Sequence, residues 1–351
     1  MKQAPNWTTL TFQRQHFDPF HWREAALCVP AMPILILLGQ AFGWAAGGAV
    51  AAGAAFAVGF GAARELGGRR WGAMIGALVG MTIAAFLGTV LGQHSLVFLM
   101  TAAAAAAGCA ALALRDEDLW WVVLQVVIIY FVAGYYEGHA AAAAWRGGMV
   151  AVGGVAELAT VWALARFFPG AAAPIIVNTL KPSTDRGLLV AHMLRAALCV
   201  GGSILLIVPL HLANGYWAPM TALIVLKPRL HETRIRGLAR LGGTIGGCII
   251  ATLFSLACRG QPALLLIGMT VAAGAAFALQ KAHYAALTAS ITATVVLLIS
   301  LGETSPIANA EHRVIATLIG GVLALVVALV VPHSLPRSFS LGDRVGIRRT
   351  S

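Results

Sequence analysis

The sequence predicts an all-α polytopic membrane bundle of about twelve transmembrane helices, built as two parallel six-helix repeats. Three observations carry that expectation. Apolar residues make up 59% of the chain and charged residues only 11%, with a mean hydropathy of +0.83; soluble domains carry about 25% charge. The apolar residues fall into runs near the roughly 20 residues that a helix needs to cross a bilayer core. Short motifs of the first half also return, in order, in the second.

Cutting the chain at charged and turn residues leaves twelve segments: 25–43, 44–63, 71–92, 96–114, 119–136, 147–165, 196–213, 216–226, 241–257, 262–279, 282–301 and 314–331. Residues 1–22 precede them and lack a compact apolar core followed by a small-residue cleavage site, so no removable signal peptide is expected. Phe12, Phe17, Phe20 and Trp22, mixed with Arg14, His16 and Arg23, suit a cytoplasmic or interfacial segment with its rings at headgroup level. A disordered tail is the alternative.

The net charge of +11 would suggest nucleic acid in a soluble protein. Membrane topology accounts for it instead. Of the 24 Lys and Arg, all but Arg146, Arg259 and Arg313 fall in the termini, the central linker or the loops after even-numbered segments. Positive charge is retained on the cytoplasmic side, so both termini, the linker and the basic 64–70 and 227–240 loops are expected there, with no nucleic-acid partner.

The linker, residues 169–194, contains Pro169, Pro174 and Pro182 and separates residues 23–168 from residues 195–332, with a cytoplasmic tail at 333–351. Ala25-Ala26-Leu27-Cys28-Val29 returns as Ala196-Ala197-Leu198-Cys199-Val200, and Gly43-Trp44-Ala45 as Tyr216-Trp217-Ala218. Arg70-Trp71-Gly72-Ala73-Met74-Ile75-Gly76 is answered by Arg240-Leu241-Gly242-Gly243-Thr244-Ile245-Gly246. The charge pairs Glu137 with Arg146 and Glu303 with Arg313 occupy matching places. An even number of spans per copy makes the copies parallel, related by an axis along the membrane normal. The first copy is the diverged one.

Enzyme chemistry finds no support: there is no phosphate loop, no H-E-x-x-H and no nucleophile elbow, so no catalytic residue, cofactor or metal is expected. Cys28, Cys109, Cys199, Cys248 and Cys258 form no C-x-x-C pair and read as small core residues. Asp116-Glu117-Asp118 reads as a solvated helix boundary.

The eighth segment is too short. From Trp217 to Leu226 it has ten residues, about 15 Å of helix against a hydrocarbon core of about 30 Å. Either the helix continues into the basic track, or it is broken or re-entrant, which transporters use to build binding sites. Lys227, Arg229, Arg234, Arg236 and Arg240 set five cations against one acid, Glu232. That bias favours an anion, and guanidinium groups grip carboxylates through two parallel hydrogen bonds. The candidate binding residues are Tyr216, Trp217, Thr221, Lys227, Arg229, Arg236 and Arg240, the two rings offering faces for an aromatic substrate. The other reading of these cations is topology and contact with anionic lipid. Glu157, inside the sixth segment, is the candidate proton-coupling group, because intramembrane acids commonly carry protons; a protonated glutamate bonded to a neighbouring helix is the alternative.

Arg195-Ala196-Ala197, Gly215-Tyr216-Trp217-Ala218-Pro219-Met220-Thr221-Ala222, Lys227-Pro228, residues 233–237 and Arg240-Leu241-Gly242-Gly243-Thr244-Ile245-Gly246 together resemble the fusaric acid resistance-like, or aromatic acid exporter, family of membrane transporters. The resemblance covers residues 185–332, with a diverged copy at 20–168. It implies export of aromatic or other weak organic acids across a bacterial inner membrane, sometimes with a periplasmic adaptor protein. The lipid bilayer, a small organic anion and further copies of the chain are the other expected partners. Many members carry a large cytoplasmic domain after each six-span unit, which this sequence lacks. The leading expectation is a secondary exporter of organic anions, proton-coupled through Glu157. A passive anion channel and a non-transporting component of envelope assembly remain open alternatives.

Overall fold

The computed structural model describes residues 20–171, 176, 182–258, 261–281, 283–302, 306–332 and 334. Most of the N-terminal segment, Glu303, Arg259 and the tail lie outside the described residues. Each of the twelve apolar segments contains a helix. In order these are α1 (Trp22–Cys28) and α2 (Ala31–Ala41), α3 (Ala45–Gly59), α4 (Gly72–Leu91), α5 (Leu96–Leu112), α6 (Glu117–Tyr135) and α7 (Ala140–Phe167). Then come α8 (Arg186–Ile207), α9 (Trp217–Val225), α10 (Leu230–Ala257), α11 (Pro262–Ala278), α12 (Tyr284–Ser300) and α13 (Pro306–Val330). Pro30 opens the ladder between α1 and α2 because a proline has no amide hydrogen to donate.

Among the described residues, eight helical stretches are long and apolar enough to cross a membrane. The expected twelve crossings are thus met in part: α5, α11 and α12 have 17 residues each, and α9 has 9. Several boundaries also move. The sixth, seventh, ninth and twelfth segments begin 7 to 11 residues earlier than hydropathy placed them, at Ala140, Arg186, Leu230 and Pro306. Hydropathy detects only the part of a helix that touches lipid, whereas backbone hydrogen bonding continues through polar residues such as Arg234 and Arg236. The end of the expected linker is therefore the first turns of α8. Asp185 starts that helix by accepting from the amides of Gly187 and Leu188. Asp116 does the same for Asp118 and Leu119 at α6. The acidic triplet is a helix boundary, with Asp118 also paired to Arg64 at 3.3 Å.

Apolar side chains stand exposed in stripes along the outer helices: Ile75, Val79, Ile83 and Phe86 on α4, and Ile235, Leu238, Ile249 and Leu253 on α10. Surfaces of this kind belong against lipid tails. Inside, α4 packs chiefly on α6 and α7, and α3 on α2 and α7. In the second half α10 packs chiefly on α12 and α13, and α9 on α8 and α13. Across the halves, α5 runs along α8 and α11 lies against α1.

Close approach depends on glycine. A Cβ on Gly153 of α7 would stand 2.0 Å from the Ala51 carbonyl oxygen of α3, and one on Gly320 of α13 would stand 2.2 Å from that of Ala218 in α9. Both partners of the second contact lie 167 positions after those of the first (51 to 218, 153 to 320). The Trp-Ala motifs set Ala218 against Ala45, a different spacing. Ala51 lies inside α3, whereas Ala218 in α9 follows a turn-rich connection, residues 208–216.

Arg195 closes one end of the bundle. Its buried guanidinium donates to the carbonyls of Ala328 and Val331 at the end of α13 and to that of Pro228 in the loop after α9. Last-turn carbonyls have no partner within their own helix and carry the negative end of its dipole, so a cation is well placed there. Arg195→Leu is expected to lower the unfolding free energy by about 3 kcal/mol, since several charge-assisted bonds go and buried carbonyls are stranded. Thermal unfolding in detergent monitored by fluorescence checks this, with Arg195→Lys giving partial rescue. Gly320→Ala is expected to cost about 1–3 kcal/mol through overpacking. In the same assay Gly321→Ala should be close to neutral, because a Cβ there meets nothing within 4 Å.

Candidate functional site

α9 is enclosed by protein along its whole length: Trp217, Ala218, Pro219, Met220, Thr221, Ala222, Leu223 and Val225 are all buried. The turns that deliver it contain the non-glycine residues His211 and Asn214 at φ 46° and 56°. Both types tolerate the left-handed region better than most. The Asn214 amide oxygen accepts a hydrogen bond from Tyr136 at 3.0 Å, which ties the turn to the end of α6. Irregular backbone of this kind is sustained inside a membrane protein where other protein surrounds it. The short eighth segment is therefore a short helix preceded by turns.

At the start of α9, rings run from Tyr135 to Tyr216 (5.6 Å between centroids) and on to Trp217 (5.3 Å). Over the Trp217 ring, 3.4 Å from its centroid, lies the guanidinium carbon of Arg313 from α13. Arg313 is only 4% exposed. One of its nitrogens donates to Thr292 of α12 at 3.3 Å, and its Nε and a second terminal nitrogen are buried with no hydrogen-bond partner among the described residues. Arg240, 6% exposed, likewise has a buried, unpartnered Nε. The two guanidinium charges are close enough to repel one another.

The polar groups continue along one side. Arg236, one turn before Arg240 on α10, lies 3.8 Å over the ring of Tyr284. On α12, Tyr284, Thr288 and Thr292 repeat every four residues and so share a face. The Tyr284 hydroxyl, the Thr288 hydroxyl and the Arg236 Nε are all buried and unpartnered. The result is a track of three arginines and three hydroxyls between the basic loop and Trp217, with no described carboxylate bonded to it. Several kcal/mol per ion are needed to bury a charge without compensation, and a cation–π contact returns about 2 kcal/mol. The track is thus short of negative charge.

The seven proposed binding residues do not form one cluster. Tyr216 and Trp217 lie with Arg313. Thr221 is buried on α9 with an unpartnered hydroxyl, and Arg236 and Arg240 belong to the track. Arg229 is solvent-facing, with 81% of its side chain exposed, and is paired with Glu232 at 3.1 Å. Lys227 points elsewhere, its ammonium 5.1 Å from the ring centroid of Trp120 on α6. It lines a cavity of about 240 Å³ with His192, Leu223 and Glu232. Burial, with a further push from the Arg236 charge, brings the Lys227 ammonium down to about 8. A second cavity of about 490 Å³ beside Trp44 and Trp145 has no charged lining.

Glu157 is fully buried on α7, and the Cys28 thiol is the one polar side chain recorded against its carboxylate among the described residues. A Cβ on Gly59 would meet its Oε1 at 2.6 Å and the Phe277 ring at 2.8 Å, so the acid occupies a slot that glycine keeps open. Its neighbours are Gly59, Phe277 and the Cys28 thiol, and neither of the two cavities touches it. Of the charged residues matched between the halves, the described ones have separate partners. Glu137 is bonded to His94 at 3.0 Å, while Arg146 donates to Thr89 at 2.7 Å and to the Tyr136 carbonyl. Consecutive chain turns separate the two groups, and a nearer partner satisfies each. Glu303 lies outside the described residues, and Arg313 turns to Trp217.

Sequence reasoning missed Tyr284, Thr288, Thr292, His192 and Trp120. The hydroxyl spacing on α12 was visible in the sequence, whereas His192 and Trp120 gave no signal because nothing local joins them to Lys227. Among known proteins, no curated protein and no solved structure matches this chain. A protein-family match does exist and covers α8 from its middle through most of α13, taking in α9, Arg240 and Arg313. The short segment and the arginine track therefore lie within residues 196–327, which match the fusaric acid resistance protein-like family model, in a chain with helices long and apolar enough to cross a membrane.

Proposed function

We propose that this protein is a secondary transporter that exports small organic anions, aromatic and other weak acids among them, across a bacterial inner membrane with both termini in the cytoplasm. The observation that carries the reading is the charge deficit of the track: Arg240 and Arg313 are buried, with unpartnered nitrogens, beside the ring of Trp217. A carboxylate accepts from exactly such donors in a water-poor site, and an aromatic body has Trp217 and Tyr216 to lie against. The family match supports membrane transport as the general activity.

The two halves are read as parallel six-helix repeats in which the second carries the anion site. Support comes from the matching helix neighbours and from the paired glycine contacts at Ala51 and Ala218. In that arrangement the first half keeps a continuous α3, and the second exchanges its first turns for the 208–216 connection. Glu157, in the first half, would carry the proton. One observation favours a passive channel instead: the residues around Glu157, Cys28 and Phe277, belong to a different apolar cluster from Trp217.

Cells lacking the gene are expected to become more sensitive to hydroxylated benzoates, and plasmid-borne Arg313→Gln or Arg240→Gln to restore less than about a tenth of the resistance, one charge-assisted bond being worth at least tenfold. Unchanged tolerance across a broad panel of weak acids would sink the export reading. In inverted vesicles, Glu157→Gln is expected to abolish acid accumulation driven by an imposed pH gradient while sparing exchange between labelled and unlabelled acid. Accumulation unaffected by Glu157→Gln would favour the channel.

A further inference from the structure

We propose that the cavity between Lys227, His192 and Trp120 is a second ligand site, which binds a small aromatic monocarboxylate at the basic end of the bundle, apart from Trp217. Its walls come from α5, α6, α8, α9 and the loop after α9, including Ala110, Leu223 and Leu226. These are apolar and shaped by a buried helix, so they suit a flat hydrocarbon body. The polar groups sit together. Lys227 brings a cation over the Trp120 ring, and His192, only 3% exposed, has a buried Nδ1 with no hydrogen-bond partner. An ammonium and an imidazole N–H facing one space can share the two oxygens of a carboxylate. The volume of about 240 Å³ falls below the roughly 300–1,000 Å³ of drug-sized pockets, which points to a single ring.

The loop geometry holds Lys227 in place. Thr233 accepts from the Lys227 amide at 3.0 Å and donates back to its carbonyl at 3.2 Å, while Arg195 holds the next carbonyl. Glu232 lines the cavity but is bonded to Arg229, leaving the ammonium available. The charged and titratable groups whose fields reach Lys227 are Arg236, Glu232, Glu117 and Cys109, with His192 beside it. Because burial holds its ammonium near 8, ligand affinity should fall as pH rises through that value, when the cation is lost. The ligand class rests on the weak-acid export reading; the cavity and its cation do not.

The test is equilibrium binding of radiolabelled benzoate to the purified full chain in phosphatidylcholine nanodiscs. Saturable binding is expected, weakened at least about tenfold in Lys227→Met by loss of a charge-assisted bond and tightened about threefold in Glu232→Gln. Equal affinity for benzyl alcohol, displacement by phosphatidylserine, or an unchanged affinity in a folded Lys227→Met overturns the proposal. Should that variant misfold, Glu232→Gln and the benzyl alcohol comparison still decide. Wild type that fails to bind benzoate in cells that nevertheless export it removes this site and leaves the export reading standing. Benzoate bound as expected, with no acid exported, does the reverse.

Discussion

The Arg313 guanidinium over the Trp217 ring is the contact on which the second half of the molecule depends. It sets a charge inside a bundle whose outer surface is made for lipid, and nothing described beside it carries the opposite sign. For that geometry to exist, α9 must start deep within the protein, and the turns at 208–216 must be sheltered. Tyr136 does part of the sheltering by binding Asn214. The packed α9–α13 contact at Gly320 does the rest, since the two backbones touch only because no side chain intervenes.

This use of glycine reflects the solvent. Lipid tails are as apolar as leucine, so no hydrophobic force drives helices together, and dispersion at short range must serve. The Gly153–Ala51 and Gly320–Ala218 contacts solve that problem twice with the same spacing. The halves diverge where function is proposed. In the first, α3 runs unbroken past Ala51 and the intramembrane acid Glu157 lies in a dry slot; in the second, the helix before Ala218 gives way to turns and the charges are basic.

The basic loop after α9 divides into groups with separate tasks. Arg229 is solvated and paired with Glu232, Lys227 turns inward to Trp120, and Arg236 and Arg240 leave the loop altogether because α10 begins at Leu230. Helical spacing, and not sequence proximity, sorts them. Residues four apart on α10 and α12 face one another and build the track, while residues one or two apart diverge. Arg195 serves the fold by closing the end of α13 and the loop.

The sequence by itself determined the class, the positions of the apolar segments, the helix boundary at Asp116, and the fact that the eighth segment is too short. These follow from composition, turn chemistry and length, which are local quantities. Helix ends beyond the lipid-facing runs were not legible, because hydropathy is blind to a ladder that continues through polar residues. The site was legible in part: Trp217 and Arg240 stood out through the break and the charge excess, whereas the partner of Trp217 did not. Only the tertiary structure decided that Arg313 lies over an indole, that Tyr284, Thr288 and Thr292 share the face near the arginines of α10, and that Lys227 meets His192 and Trp120. Each is a meeting of side chains from separate helices, set by how closely glycine and alanine let the backbones approach.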